Sequence, residues 1–148
     1  MTVLKEKVLI ACKAMQLESI QNLKGVIDEA QKAANDYGLP KDRYDSFRTQ
    51  LLRKRDMFTQ QLAKANEQLD LLNRIDLKKE CSQVEFGAIV ITDKQKLFIS
   101  IGLGKVEMDD QLFYAISPFV PIFKAMIGKR KGEEFQFNSN KFIIQDIF

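Results

Sequence analysis

The chain has 148 residues, with 23 Lys/Arg against 20 Asp/Glu, two Cys and no His or Trp. A hydrophobic content of 45% beside 29% charged residues excludes intrinsic disorder, and the length suits one ordinary domain or two small ones. Without histidine a His-based catalytic triad is excluded, and with Cys12 and Cys81 far apart a zinc site is not expected.

No apolar run approaches the ~18 residues needed to span a bilayer. Met1 to Lys13 alternates charge with apolar residues and has no signal-peptide core. The expectation is a cytoplasmic protein without membrane contact, whose two cysteines are small buried hydrophobes. Residues 1–79 carry 15 Lys/Arg and 11 Asp/Glu, whereas residues 80–148 carry 8 and 9. Neither half has the basic excess of a stand-alone nucleic-acid binder, which favours a protein partner.

In chain order, the first apolar stripe reads Leu4, Val8, Ala11 and Met15, then Ile20, Leu23, Ile27, Ala30 and Ala34. Such 3-4 spacing predicts one long helix. Gly38 and Pro40 interrupt it within Asp36-Tyr37-Gly38-Leu39-Pro40-Lys41-Asp42, where Gly38 permits a reversal and Pro40 suits the first turn of a second helix. That second helix is expected from about Lys41 to Ile75, with a seam of Tyr44, Phe47, Leu51, Phe58, Leu62, Ala65, Leu69 and Leu72. The two stripes predict an antiparallel coiled-coil hairpin over residues 1–76, its tip near 36–42. At ~1.5 Å per residue it would be a rod of roughly 50 Å.

Past the junction Leu77-Lys78-Lys79-Glu80 the period changes. Phe86–Thr92 and Leu97–Ile101 are β-branched and aromatic, with Asp93–Lys96 as a hairpin turn. Val106–Met108 and Leu112–Ile116 follow as strands. Phe119–Lys129 has a helical middle of Ile122, Phe123, Met126 and Ile127, closed by Gly128. Glu134–Phe137 and Phe142–Ile147 pair through Asn138-Ser139-Asn140. The fold class is therefore α+β: a helical hairpin, then, over residues 82–148, a small antiparallel sheet domain with one short helix.

The run Pro121-Ile122-Phe123-Lys124-Ala125-Met126-Ile127-Gly128-Lys129, followed by Gly132-Glu133-Glu134-Phe135, resembles the C-terminal signature of Gre-type transcription elongation factors. Val120 stands where that family has Ser, and Met126 where it has Leu. The resemblance spans the chain. It implies a Gre-like coiled coil followed by an FKBP-like domain, and bacterial RNA polymerase as the partner. Docking would use the segment of Pro121, Lys124, Gly128 and Lys129. The hairpin would enter the secondary channel as a monomer, in indirect contact with nascent RNA. In cleavage-competent members the tip carboxylates help hold a second Mg²⁺ of the polymerase, which then hydrolyses backtracked RNA by two-metal chemistry. The factor itself is no enzyme and has no cofactor or stably bound metal of its own.

Here the tip acids are Asp36, Asp42 and Asp45, with Asp42 and Asp45 expected on one face of the first turn of the second helix. Leu39 replaces the family's leading Asp, and Arg43 its Asn. Both changes weaken chelation, so a non-cleaving modulator is the alternative. Acids in a first helical turn also stabilise the helix dipole without any metal. The cluster Arg48, Arg53, Lys54 and Arg55 either faces the walls of a channel or is a solvated helix face. Two other functions fit less well: a coiled-coil adaptor without polymerase binding, and a prolyl isomerase.

Overall fold

Helix α1 runs unbroken over Thr2–Tyr37, 36 residues, in the computed structural model, which describes residues 2–148. Its only interior breaker, Gly25, is exposed, and a Cβ there would meet nothing within 4 Å. The helix stops because Gly38 takes φ +80° and donates its N–H to the Ala34 carbonyl at 3.1 Å, a left-handed cap open to glycine.

Helix α2 spans Phe47–Asn73, later than the expected start at Lys41. Residues 38–46 are not helical. The side chains of Asp42 and Asp45 bond backbone N–H groups two residues on, at Tyr44 and Phe47, and so compete with helix formation. The C-terminal end also falls short of Ile75, because Arg74 and Ile75 turn their N–H groups to the Leu71 and Leu72 carbonyls in a tightened last turn.

Two compact units result. One comprises Gln16–Leu69; the other takes the residues up to Met15 together with Asp70–Phe148. This division lies inside both helices rather than at the Leu77–Glu80 junction, because the ends of α1 and α2 share a core with the sheet.

Within Gln16–Leu69 the helices run antiparallel. Gln16 donates to the Ala65 carbonyl at 2.8 Å, Arg55 to the Gln31 amide oxygen at 2.5 Å, and the Tyr37 and Phe47 rings lie 4.8 Å apart. Ile20, Ala30, Ala34 and Ala65 are the buried seam, with Leu51, Phe58, Leu62 and Leu69 half-buried along it. Tyr44, expected in that seam, is instead 78% exposed, since it sits in the loop.

The other unit carries strands β1 (Ile89–Thr92), β2 (Lys96–Ile99), β3 (Gly104–Met108) and β4 (Gln111–Ile116), helix α3 (Pro121–Met126), then β5 (Glu134–Phe137) and β6 (Asn140–Ile147). The sheet order is β3-β4-β2-β1-β6-β5. It is mixed rather than wholly antiparallel: β2 and β4 pair in parallel, Phe98 opposite Ala115. Asn138 and Ser139, at φ 50° and 65°, form the tight turn between β5 and β6, whose twist matches the strands.

Strict alternation sends successive strand residues to opposite faces. Ile89, Phe98, Phe113 and Ala115 join Val8, Leu9, Cys12, Leu72 and Ile75 in one core. Val90, Leu97, Ile99 and Ile144 join Cys81, Phe123, Met126, Phe135 and Phe142 in the second. The buried stripe at the start of α1 is Lys5, Val8, Leu9, Cys12 and Gln16, about one residue round from the expected one; Leu4, Ala11 and Met15 are half-buried beside it. Among the described residues no helix is long and apolar enough to cross a membrane.

Candidate functional site

The loop at the hairpin turn is ordered by one carboxylate. Asp45 Oδ2 accepts the Tyr37 hydroxyl at 2.6 Å and the Lys41 N–H at 2.9 Å, and its Oδ1 accepts the Phe47 N–H at 3.2 Å. These bonds, the Lys41 N–H foremost, then the Tyr37 hydroxyl and the Phe47 N–H, hold the Asp45 carboxyl below its usual range. Reciprocally, its bond to Asp45, helped by partial desolvation and the charges of Asp45 and Asp42, raises the Tyr37 phenol above its usual value. Tyr37 also packs its ring on Phe47 and receives the Lys41 ammonium 5.1 Å from its centroid.

Asp42 Oδ1 accepts the Tyr44 N–H at 2.8 Å, and the Asp42 carbonyl accepts the Asp45 N–H at 3.2 Å. Both acids therefore sit in the loop rather than on the first turn of α2, which corrects the expected shared helical face. Asp36 stands exposed in the last turn of α1. The three tip acids do not converge: among the described residues no group of three or more His, Cys, Asp or Glu is placed to hold a metal.

What the loop presents outward is apolar and cationic as much as acidic. Leu39 is 82% exposed, and Arg43 lays its guanidinium 4.7 Å from the centroid of the exposed Tyr44 ring while donating to that residue's hydroxyl. Further along α2, Arg55 is turned to Gln31 and Asp56, whereas Arg53 and Lys54 are exposed.

The second expected site, Pro121–Lys129, does structural work in its own unit. Pro121 opens α3, where its missing N–H costs nothing. Phe123 and Met126 fill the second core. Gly128, at φ +76°, donates to the Val84 carbonyl at 3.1 Å, and Val84 returns its N–H to the Lys129 carbonyl at 2.8 Å. The segment thus clamps residues 83–85 to the end of α3. Ile127, expected to face the core, is the C-cap and is 59% exposed, because the helix has already ended. Lys124 is exposed, and Lys129 lies 3.9 Å from Glu133.

Sequence reading missed two buried polar residues, Lys5 and Gln16. Their signal was present: both recur at helical spacing with Val8, Leu9, Cys12 and Ile20, on the face that proves buried.

No protein-family model matches the chain, and no curated protein matches it at a significant level. Among solved structures the chain is similar to the crystal structure of GreA factor homolog 1 of Thermus thermophilus, at 16% identity and a TM-score of 0.35, over 92% of this chain and 94% of that one. It is also similar to a structure of the transcription factor Gfh1, at 16% identity and a TM-score of 0.34, over 91% of this chain and 92% of that one.

Proposed function

We propose that this chain is a Gre-like regulator of transcription elongation. It binds bacterial RNA polymerase, places the loop 38–46 in the secondary channel, and does not stimulate transcript cleavage. The observation that carries the reading is the loop itself. Its two faces of function, order and exposure, come from different residues: Asp45 and Tyr37 fix it, while Leu39, Arg43 and Tyr44 are presented. A loop pinned at one carboxylate and projecting large side chains loses little entropy when it meets a partner. The order of elements, a helical hairpin followed by a sheet with one short helix, and the run Pro121–Lys129 support the same reading.

The hydrogen bonds at the tip argue against a metal-donating role. Asp45 already accepts three hydrogen bonds on its two oxygens, and Asp42 accepts one on Oδ1. Mg²⁺ demands near-ideal octahedral geometry and well-placed free oxygens. Releasing Asp45 to a metal would unpin the loop that presents it. The chain then acts by occupying space and contacting the channel, and no step runs through a metal held by this protein.

The test is binding of the purified chain to bacterial RNA polymerase by fluorescence anisotropy, with gel analysis of RNA in backtracked complexes. Saturable binding with unchanged RNA length is expected. Absence of binding at micromolar protein would remove the proposal. RNA shortening that disappears in Asp42→Ala would replace it with the cleavage-competent reading, and a stable dimer by light scattering without polymerase binding would favour an adaptor.

A further inference from the structure

Lys5 is an unusual residue in this protein. It lies in the second turn of α1, yet it is only 2% exposed. Buried lysines are rare unless paired with an anion. Here no carboxylate reaches it among the described residues. Its ammonium has the Lys79 carbonyl at 3.3 Å and the Cys81 Sγ at 3.8 Å. Neither is a strong partner for a group with three donors.

Cys81 is itself 5% exposed and unbridged. Lys5 and Cys81 together line two openings, cavities of about 230 and about 140 Å³. The larger is also bordered by Lys79, Glu80 and Asp146 and by Leu77, Ile147 and Phe148, so its wall is mixed, with charged groups enough to admit water-sized solutes. Desolvation raises the Cys81 thiol; the Lys5 charge works against this, and a hydrogen bond to Glu85 adds to it. Cys12 provides the contrast: buried in the first core, its thiol is pushed up to about 12 by burial alone.

From the thiol, the ammonium against it and the cavity that both face, we infer that Lys5 and Cys81 form an oxidation-sensitive pair. A peroxide entering the cavity converts it to a sulfenamide cross-link. In the first step the Cys81 sulfur attacks one peroxide oxygen while its thiol proton passes to the other; the S–O bond forms, the O–O bond breaks, sulfur is oxidised to the sulfenic acid, and the departing oxygen leaves as water. In the second, Lys5 Nζ, having released its extra proton to water in the cavity, attacks sulfur. The S–N bond forms, the S–O bond breaks, and the hydroxyl leaves as water with an amine proton. The sum consumes one thiol, one amine and one hydrogen peroxide and gives the sulfenamide and two waters. A thiol reductant reverses it. The bond ties the beginning of α1 to the segment that follows α2.

The experiment treats the full chain in a Cys12→Ser background with hydrogen peroxide, followed by intact-mass and peptide mass spectrometry. The expected product is lighter by about two hydrogens, contains one cross-linked peptide pair joining Lys5 to Cys81, and returns to the starting mass with dithiothreitol. Removing the amine by Lys5→Met should leave Cys81 to accumulate oxygen adducts and dimedone-reactive sulfenic acid instead. Circular dichroism confirms that this variant folds; Lys5→Arg, which keeps the charge but lacks the nucleophilic amine, gives the same result if Lys5→Met does not fold. The inference is overturned if Cys81 in the parent chain gains oxygen with Lys5 unmodified, or if Cys81 stays a free thiol at peroxide doses that oxidise exposed Met57.

Discussion

Two glycines in this chain invite the same substitution with opposite results. Gly128→Ala adds a methyl group at φ +76°, where the new Cβ would meet nothing within 4 Å. Steric overlap with neighbours is therefore absent, and the cost is the left-handed conformation itself, about 1–2 kcal/mol for a residue with a Cβ. If the backbone relaxes to relieve it, the exchange of hydrogen bonds between Gly128–Lys129 and Val84 suffers instead, at about 0.5–1.5 kcal/mol for each bond. Gly25→Ala adds the same methyl in the exposed middle of α1, again with nothing within 4 Å. There it removes backbone freedom from the unfolded chain and should stabilise by about 0.5–1 kcal/mol. At about 2–4 °C per kcal/mol for a chain of this size, the melting temperatures should move in opposite directions by a few degrees. Urea and thermal unfolding followed by circular dichroism measure both. Gly128→Asn, which tolerates the left-handed region, should cost less than Gly128→Ala. A Gly128→Ala chain as stable as the parent, or an Asn substitution no milder than Ala, would refute the left-handed strain at this position.

Asp45→Asn should loosen the loop and speed amide exchange at Lys41 and Phe47, whose N–H groups the carboxylate accepts. Because the folded Asp45 carboxyl is lowered, its stabilisation is present above the unfolded value of about 3.9 and is lost as pH falls through the folded one. Tyr37 has the opposite sign: raised by its bond to Asp45, it stabilises below about 10 and is lost as pH rises through its folded value. A tyrosine absorbance titration should therefore show a late phenol that moves down in Asp45→Asn. Phe98→Ala removes a fully buried ring from the first core and should cost about 3–5 kcal/mol in urea unfolding. Gln16→Ala deletes the bonds to Ala65 and Gln68 and should cost about 1–2 kcal/mol by the same measurement.

Period carried most of the architecture. The 3-4 spacing from Ile20 to Ala34 describes a half-buried helix directly, and the short β-branched and aromatic runs Ile89–Thr92 and Lys96–Ile99, buried on both faces, describe strands, so these elements were legible from side chains alone. Asn138-Ser139 marked its turn for the same local reason. Three features escaped because the deciding force was elsewhere. The start of α2 depends on two Asp side chains outcompeting a proline that suits a helix start. The parallel pairing of β2 with β4 joins strands separated by β3, and no local signal encodes it. Lys5 and Gln16 interrupt the apolar stripe of α1 with polar heads, so hydrophobicity alone placed the buried face about one residue away. The candidate site was located by the Gly38-Leu39-Pro40 break, but the part each acid plays there is a matter of hydrogen bonds that spacing does not reveal.

The most direct measurement adds the purified chain to backtracked RNA polymerase complexes and reads binding and RNA length in the same samples. Saturable binding that weakens in Leu39→Ala plus Tyr44→Ala is expected, with the RNA unshortened. No binding, or RNA cleavage that depends on Asp42, contradicts the proposed function.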